Sequence, residues 1–290
     1  MSIVIENLSY DYQHGTSFER QVLSSVDLMV SKGSVCAVMG KTGCGKSTLF
    51  YLTAGLYEPA VGRIMIDGED INSTRYDRIG LRKKLGIVFQ HPRSQLLETT
   101  ARKNAAYGLK HSNLSEDEKD ERIRWAFYVT GFDYDTIKDR SPLELSGGER
   151  RRLAIASVLA KRPEYLILDD PVAGLGSAER ERLLNLIKEL KKDGMTILIS
   201  THHSEFAASC ADDVAIMKDG RIAAFGEIHK IFCMRQLMED CGIRYGFPSW
   251  ISTMLTERGL LDENEAITTE ELLPLIRQAL MKKSSQGEIE

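Results

Sequence analysis

The residues of this chain that are best suited to chemistry form one glycine-rich segment, GKTGCGKST. Its glycines allow main-chain N–H groups to converge on an anion, and a helix predicted from Lys46 to Thr53 adds partial positive charge at the same point. In the complete spacing G-x-x-x-x-G-K-S, the lysine reaches the β- and γ-phosphates of a nucleotide and the serine hydroxyl binds Mg²⁺. The sequence therefore predicts a phosphate-binding loop made of Gly40, Lys41, Thr42, Gly43, Cys44, Gly45, Lys46, Ser47 and Thr48.

A second segment, LSGGE at residues 145–149, has the composition of another anion-binding corner. Ser146, Gly147 and Gly148 would present main-chain N–H groups at the N-terminus of a predicted helix. The three arginines that follow this segment, Arg150, Arg151 and Arg152, are expected to be solvated or to lie between domains rather than to bind ligand.

A carboxylate follows the apolar run Tyr165–Leu168, which is typical of a buried strand. Parallel sheets present ligand-binding groups at the carboxyl ends of their strands, and Asp169 stands at such an end. We therefore expect Asp169 to hold Mg²⁺ through water.

Composition narrows the class of protein. With 290 residues and 42% hydrophobic residues, the chain can bury a large core, which predicts one main domain and an appendage. The net charge of −4 gives no electrostatic signature for nucleic acid. No apolar stretch reaches the roughly eighteen residues of a membrane span, so a membrane role is expected to be peripheral. The five cysteines lack metal-ligand spacing and are interpreted as reduced, cytosolic thiols.

The elements that must position these residues can be predicted from periodicity. Alternating apolar residues over positions 1–30 predict a meander of antiparallel strands, and Val35–Met39 and Leu85–Phe89 are apolar runs of buried-strand type. From His91 to about Ala160 the pattern becomes helical and includes a capping box at Ser115 and Glu118.

The second half of the main domain returns to strands. Tyr165–Leu168 and Thr196–Ile199 flank a crossover helix, which predicts a parallel βαβ unit. Val214–Met217 and Ile222–Phe225 are expected to complete the sheet. The fold class is therefore α/β.

The phosphate-binding loop and LSGGE, the latter shortly before a strand that ends at Asp169, together resemble the ATP-binding cassette (ABC) family. The resemblance covers residues 1–230 and implies a RecA-like mixed sheet with an antiparallel β subdomain and a helical subdomain at about 91–160. It also implies ATP and Mg²⁺ as cofactors. LSGGE would close over the ATP of a second subunit, so that a head-to-tail dimer holds two ATP molecules.

The resemblance also assigns roles to single residues. Gln90 would touch Mg²⁺ and the attacking water, which makes Ser47, Gln90 and Asp169 the expected metal site. His202 would contact the γ-phosphate, with His203 as the competing candidate. The expected catalytic residues are Asp170, His202 and Gln90.

One further aromatic residue has two interpretations. Tyr12 resembles the residue that stacks on adenine in this family, and Tyr10 is its alternate. Equally, Tyr12 could be a surface strand tyrosine that packs on the sheet.

Two positions depart from the family pattern. Asp170 stands where the family usually places glutamate, and a displacement on the order of 1 Å can cost about 100-fold in rate. Gly176 stands where the loop after the strand usually ends in aspartate. We expect intact nucleotide binding and slow hydrolysis at this site. The alternative is a catalytically weak subunit that completes the active site of a partner ATPase.

The segments at residues 14–19 and Phe89–Glu98 look like those of energy-coupling factor (ECF) transporter ATPases, most like the second member of their unequal ATPase pair. These transporters import vitamins or metal ions. The implied partners are a second ABC ATPase, in a homodimer or heterodimer, a transmembrane coupling subunit and a substrate-binding membrane protein. Leu96 and Leu97 would line the groove for a coupling helix, and Glu98 would pair with an arginine there or remain solvated. The implied location is the cytoplasmic face of the cell membrane, with membrane contact only through partners and no nucleic acid bound.

Residues 231–290 have the composition of a helical extension, with a helix start at Ile267–Glu271. In the family such extensions join the two ATPases, which makes this one a candidate dimerisation element. Alternatively, it packs on its own cassette.

Overall fold

The computed structural model describes residues 3–13, 15–261 and 266–287, with the side chains of residues 279 and 282–287 excepted. His14, which belongs to one of the segments compared with the ECF ATPases, lies outside the described residues. No helix within the described ranges is both long enough and apolar enough to cross a bilayer.

The antiparallel meander predicted near the N-terminus is confirmed. β1 pairs with both β2 and β4, and β5 extends the sheet beyond β4, giving the order β2-β1-β4-β5. The inward side chains Ile3, Ile5 and Leu8 of β1 are buried. The strands are β1 (Ile3–Tyr12), β2 (Arg20–Val30), β4 (Val61–Ile66) and β5 (Glu69–Asp70).

A second, six-stranded sheet carries the predicted buried runs in the order β10-β9-β3-β8-β7-β6. Five neighbouring strands, β6, β7, β8, β3 and β9, are parallel, and β10 is antiparallel to β9. The mixed sheet and the parallel β7–β8 unit are therefore confirmed. The strands are β3 (Val35–Met39), β6 (Leu85–Val88), β7 (Tyr165–Leu168), β8 (Thr196–Thr201), β9 (Asp213–Lys218) and β10 (Arg221–Glu227).

Helices cover both faces of this sheet. α1 begins directly after the glycine-rich loop, as predicted, and α7 is the predicted crossover helix. The short α2 was not predicted, because its sequence RIGLRKK buries only Leu81 and has little apolar period. Their bounds are α1 (Lys46–Thr53), α2 (Arg78–Lys84), α7 (Ser177–Lys192) and α8 (Ser204–Cys210).

The stretch between β6 and β7 is helical, as its pattern indicated. The capping box at Ser115 and Glu118 is present at the start of α4. Buried Ile123 and Phe127 of α4 pack in the same core cluster as Leu153 of α6. The helices are α3 (Ala101–Tyr107), α4 (Glu116–Val129), α5 (Tyr134–Ile137) and α6 (Gly147–Leu159).

The C-terminal helices pack on their own cassette. Met238, Cys241 and Ile243 join a buried cluster with Met39 of β3 and Ile216 of β9. The opposite side is left open, since Phe247 and Trp250 are more than half exposed. The helices are α9 (Ile228–Phe232), α10 (Arg235–Asp240), α11 (Phe247–Glu257) and α12 (Thr269–Gly287).

Candidate nucleotide site

The glycine-rich loop joins β3 to α1 in a conformation that requires glycine at two positions. Gly40 and Gly45 have φ values of 151° and 110°, which L-residues rarely adopt. A Cβ atom at Gly40 would lie 2.3 Å from the Met217 carbonyl oxygen. The Lys46 ammonium group donates to the carbonyl oxygens of Gly40 at 2.8 Å and Lys41 at 3.0 Å, which bends it back over the loop.

The N-terminus of α1 is open to an anion. Its N-cap residue is Gly45, and no side chain caps the helix. The first turn contains no acidic residue. The first N–H groups of this helix therefore point out without a side-chain acceptor, as an anion site requires.

A cleft of about 270 Å³ brings together most of the predicted nucleotide residues. Three members of the predicted loop do not line it. Gly40 and Cys44 lie on the side of the loop that faces away from the cleft, and Lys41 packs beside Gly242 of the C-terminal region. The lining residues are Tyr12, Arg20, Val22, Thr42, Gly43, Gly45, Lys46, Ser47, Thr48, Gln90, Asp169, Asp170, Ser200 and His202.

Two adjacent carboxylates follow β7 at the floor of the cleft. Asp169 is 2% exposed, and its Oδ1 accepts a hydrogen bond of 2.6 Å from the Ser200 hydroxyl. Its Oδ2 is buried without a hydrogen-bond partner. Nearby Tyr51 is itself partly buried, and this burial, with the Asp169 carboxylate as the next cause, raises the pKa of its phenol to about 12.

Asp170 stands above Asp169 in an unusual backbone conformation. Its φ of 42° lies in the left-handed region that is rare for a residue with a side chain. The Gln90 amide nitrogen lies 3.4 Å from Asp170 Oδ2, and His202 Nδ1 lies 3.6 Å from the same oxygen. The structure thus brings all three predicted catalytic residues to one point.

The two candidate histidines occupy different places. Both line a larger cavity of about 780 Å³ beside α8, but only His202 also lines the nucleotide cleft. Burial, with His202 as the next cause, lowers the pKa of His203 below its ordinary value. The geometry favours His202 as the residue that faces a nucleotide.

The two candidate tyrosines also differ. Tyr10 is stacked on Tyr57, with ring centroids 5.5 Å apart and planes 4° apart. Tyr12 meets both of those rings edge-on, and its hydroxyl lies 3.1 Å from the Thr48 Oγ1 atom. Because Tyr12 lines the cleft and Tyr10 does not, the geometry favours Tyr12 as the adenine-stacking residue.

The interpretation of Arg151 as a possible solvated charge is wrong. Arg151 is 8% exposed and donates to three main-chain carbonyls, those of Asp170 at 2.8 Å, Gln90 at 3.2 Å and Ala173 at 3.3 Å. It lies on α6 directly behind LSGGE, so it ties that helix to the floor of the cleft. This is the between-domain role that the sequence left open.

The residues of LSGGE lie apart from this cleft. None of Ser146, Gly147 and Gly148 lines it, and the first two are exposed. The Ser146 hydroxyl accepts from the Glu149 N–H at 3.2 Å, and Glu149 Oε2 accepts from the Ser146 N–H at 2.8 Å. These bonds form a capping box at the start of α6.

The groove expected after Gln90 is partly apolar and exposed. Leu97 is 70% exposed, while Leu96 packs against the core. Glu98 is paired within the chain, because its Oε1 lies 2.7 Å from Lys110 Nζ.

Sequence reasoning did not find Ser200, Arg20 or Gln95. Gln95 holds the segment after β6, since it accepts from the Phe89 N–H and donates to the Ile87 carbonyl, both at 2.9 Å. Arg20 and Ser200 line the cleft. No sequence signal separates Ser200 from the other two hydroxyl residues of β8, Thr196 and Thr201.

The donor set suits Mg²⁺. Asp169 Oδ2 is a buried carboxylate oxygen without a partner, and such an atom is costly unless it meets a cation or water. The Ser47 hydroxyl and the Gln90 amide lie in the same cleft, and oxygen ligands of this kind are those that Mg²⁺ prefers. The residues present therefore fit a hydrated Mg²⁺ ion.

Comparison with known proteins agrees with this geometry. The sequence model of the family described as ABC transporter matches residues 23–173. The energy-coupling factor transporter ATP-binding protein EcfA2 of Clostridium tetani is 41% identical over 272 residues, covering 93% of this chain and 94% of that protein. EcfA2 of Clostridium perfringens is 39% identical over 282 residues, covering 96% and 99%.

Solved structures show the same fold. That of cbiO1 from Clostridium perfringens, described as part of the ABC transporter complex cbiONQ, superposes with a TM-score of 0.71 at 34% identity, covering 83% of this chain and 94% of that one. The dimeric ATP-binding cassette MJ0796 bound to ADP and Pi gives a TM-score of 0.70 at 27% identity, covering 78% and 98%.

Proposed function

The chain belongs to the ABC transporter family and, within it, to the ATP-binding proteins of energy-coupling factor transporters, and from this premise we propose how its cleft binds and hydrolyses ATP. It is an ATPase that energises an importer of the ECF type. One observation carries the assignment to this cleft: most of the glycine-rich loop lines a single cavity together with Asp169, Asp170, Gln90 and His202.

The phosphates of ATP are held by the loop and the start of α1. The uncapped N–H groups of α1 receive the phosphate oxygens, and Lys46 turns from its two carbonyl partners to the β- and γ-phosphates. Tyr12 stacks on adenine at the edge of the cleft. Asp169, Ser47 and Gln90 would hold Mg²⁺, and the ion would supply positive charge beside the phosphates when it is bound.

Hydrolysis depends on the residues above Asp169. Asp170 accepts a hydrogen bond from the attacking water and orients it, and Gln90, whose amide nitrogen lies 3.4 Å from Asp170 Oδ2, contacts the same water. His202 donates a hydrogen bond to the γ-phosphate. Asp170 is one methylene shorter than the usual glutamate, so its reach is reduced and the chemical step at this site is slow.

A second ATPase completes the site. The cleft is lined by the loop and by the residues that follow the strands, and none of Ser146, Gly147 and Gly148 of the same chain lines it. The exposed Ser146 and Gly147 supply the second wall to a partner's ATP in a head-to-tail dimer. The open side of the C-terminal helices, with Phe247 and Trp250, is a candidate contact between the two ATPases.

The dimer is placed at the cytoplasmic face of the membrane by its partners. The groove around Leu97 receives a helix of a transmembrane coupling subunit, and a separate membrane protein selects the solute. The coupled motion is the closure of the dimer on ATP and its opening after hydrolysis.

ATP turnover by the chain alone and with its partner ATPase and membrane subunits tests this function. We expect turnover to rise in the complex and solute uptake to follow it. The comparisons do not favour a catalytically weak subunit as the alternative. Absence of Mg²⁺-dependent ATP binding by the folded wild-type chain would contradict the proposal.

Asp170→Glu tests the role of the shortened carboxylate. Restoring the methylene should raise kcat by about 10-fold and leave ATP affinity unchanged, because the change acts on the water and not on the phosphate contacts. An unchanged or lower kcat would mean that Asp170 already holds the water correctly or does not hold it at all.

A further inference from the structure

Ser200 is a buried hydroxyl near the carboxyl end of β8, on a face that it shares with Thr196 and Leu198. It is fully buried, and Leu198, which lies two residues earlier on the same face, packs in the core cluster that contains Leu49 and Phe50 of α1. A hydroxyl in such surroundings is costly unless its hydrogen bonds are satisfied. Its partners therefore indicate why it is tolerated there.

Both partners of Ser200 belong to the nucleotide site. The hydroxyl donates to Asp169 Oδ1 at 2.6 Å. It accepts from the Asp170 main-chain N–H at 2.7 Å. One side chain on β8 thus connects the expected metal ligand with the expected catalytic residue, both of which follow β7.

The bond to Asp169 fixes the rotation of its carboxylate. With Oδ1 held by Ser200, Oδ2 is the oxygen left without a partner, and it stays buried at the floor of the cleft. Outer hydrogen bonds of this kind orient a ligating group before the metal arrives. Without the hydroxyl, the carboxylate could turn and satisfy itself elsewhere.

The bond to Asp170 supports a strained turn. Asp170 has a φ of 42°, in the left-handed region that is strained for a residue with a side chain. Its N–H is held by Ser200 and its carbonyl by Arg151 at 2.8 Å. Both flanking peptide groups are therefore fixed, and the short carboxylate is aimed into the cleft by the backbone.

We propose that Ser200 is a positioning residue that orients the Asp169 carboxylate toward Mg²⁺ and holds the Asp170 main chain in the turn from which its carboxylate meets the attacking water. The inference rests on the proposed function, since it needs a metal nucleotide in this cleft. It adds a residue of β8 to the machinery that the sequence motifs supply.

Ser200→Ala tests the proposal through metal binding in the full-length chain. Calorimetry with a non-hydrolysable ATP analogue, at a series of Mg²⁺ concentrations, gives the apparent Mg²⁺ affinity of the nucleotide complex. We expect a loss of about 10-fold or more in that affinity, with nucleotide affinity in EDTA unchanged. Ser200→Cys keeps nearly the same shape with a much weaker donor and acceptor, and it should change Mg²⁺ affinity in the same direction.

Thr196→Val is the matched control. Thr196 lies at the other end of β8, is 1% exposed, and accepts from the Gly33 N–H at 2.9 Å, far along the strand from the cleft. The Thr196→Val substitution removes a buried, hydrogen-bonded hydroxyl of the same strand, so a general effect of strand destabilisation would appear in both variants. Mg²⁺ affinity should change only at Ser200.

The outcomes separate the two proposals. If the wild-type chain binds no Mg²⁺-nucleotide, the proposed function fails and the role of Ser200 fails with it. If the wild-type chain binds but Ser200→Ala shows unchanged Mg²⁺ affinity, or Thr196→Val shows the same loss, only the role of Ser200 is overturned. Steady-state kinetics of the assembled complex should show a lower kcat for Ser200→Ala with little change in KM at saturating Mg²⁺.

Discussion

Two glycine-bearing helix starts in this molecule look alike in sequence and differ in structure. The one at α1 has Gly45 as its N-cap, no side-chain cap and no acidic residue in its first turn. The one at α6 has Ser146 as its N-cap and a closed capping box with Glu149. The first presents free N–H groups to an anion, whereas the second already satisfies two of them internally.

Under the proposed function, this difference gives one chain two phosphate contacts of unequal strength. The loop before α1 should bind ATP in the isolated chain, because the N–H groups of α1 have no side-chain acceptor and Lys46 is held only by two main-chain carbonyls. To contact a partner's ATP as proposed, the LSGGE corner would give up bonds of its capping box, and the ATP would lie near the Glu149 carboxylate. It should therefore engage only when a second subunit delivers an ATP that is already bound.

The largest effect is expected from Lys46→Ala. Among the described loop residues that line the cleft, Lys46 is the only one with a charged side chain, and the substitution removes that charge from the phosphate site. Hydrogen bonds to charged groups are worth up to about 3 kcal/mol, so ATP affinity of the isolated chain should fall by roughly 100-fold. Calorimetry measures it, with the exposed Lys83→Ala as the control. Unchanged affinity would mean that the open helix start is not where ATP binds.

A smaller effect is expected from Ser146→Ala at the start of α6, where the capping box lies. ATP affinity of the isolated chain should not change, because Ser146 does not line its cleft. Turnover of the assembled complex should fall by about 10-fold, since one hydrogen bond to charged phosphate is lost at the dimer interface.

The chain supplies its own control for that variant. Ser115 and Glu118 form a second capping box, on α4. Ser115→Ala and Ser146→Ala should each cost about 1 kcal/mol of stability and lower the melting temperature by roughly 2–4 °C. Only Ser146→Ala should reduce turnover. Equal losses of turnover would show that LSGGE acts through helix stability and not through ATP.

The sequence predicted the loop before α1 better than it predicted the contacts that β8 and α6 make with the cleft. Glycine spacing and an apolar strand before Lys46 determine the loop locally, so β3 and α1 were placed correctly. The bonds of Ser200 and Arg151 depend on where β8 and α6 come to lie against β7. No local pattern in the chain contains that information.

The C-terminal region shows the same limit. Its apolar residues predicted helices, but not which side of them would be covered. Met238 and Ile243 pack on the cassette while Phe247 and Trp250 remain exposed, and the choice depends on the shape of the sheet face beneath. The hydrophobic pattern establishes that such a face exists, and tertiary packing decides where it lies.

Removing the negative charge of Glu149 should make the start of α6 more like the start of α1, which has no acidic residue in its first turn. Glu149→Gln keeps an acceptor for the Ser146 N–H and removes a charge at a helix N-terminus, a change worth roughly 0.3–1 kcal/mol. The ATP concentration for half-maximal dimer formation should fall by about 2–5-fold, measured by light scattering. Glu118→Gln should leave it unchanged, and a rise with Glu149→Gln would contradict the idea that the carboxylate opposes ATP.

The smallest effect is expected in the pH dependence of stability. This measurement tests whether the capping box of Ser146 and Glu149 is formed in solution. The Ser146 N–H, and then its hydroxyl, hold the pKa of Glu149 below its unfolded value of 4.5. A lowered folded pKa means that the charged carboxylate stabilises the fold fully above about pH 4.5 and loses this contribution as the pH falls through the folded pKa. The melting temperature of wild type should exceed that of Glu149→Gln by about 1–3 °C at pH 7, and the difference should shrink below pH 4.5.

Glu118→Gln provides the reference, because Ser115 lowers the pKa of Glu118 in the same way. Both variants should lose their difference from wild type over the same pH window. If only Glu118→Gln does so, the capping box at LSGGE does not persist in solution. The two helix starts would then be equally open, and their unequal roles would have to come from the lysine that one has and the other lacks.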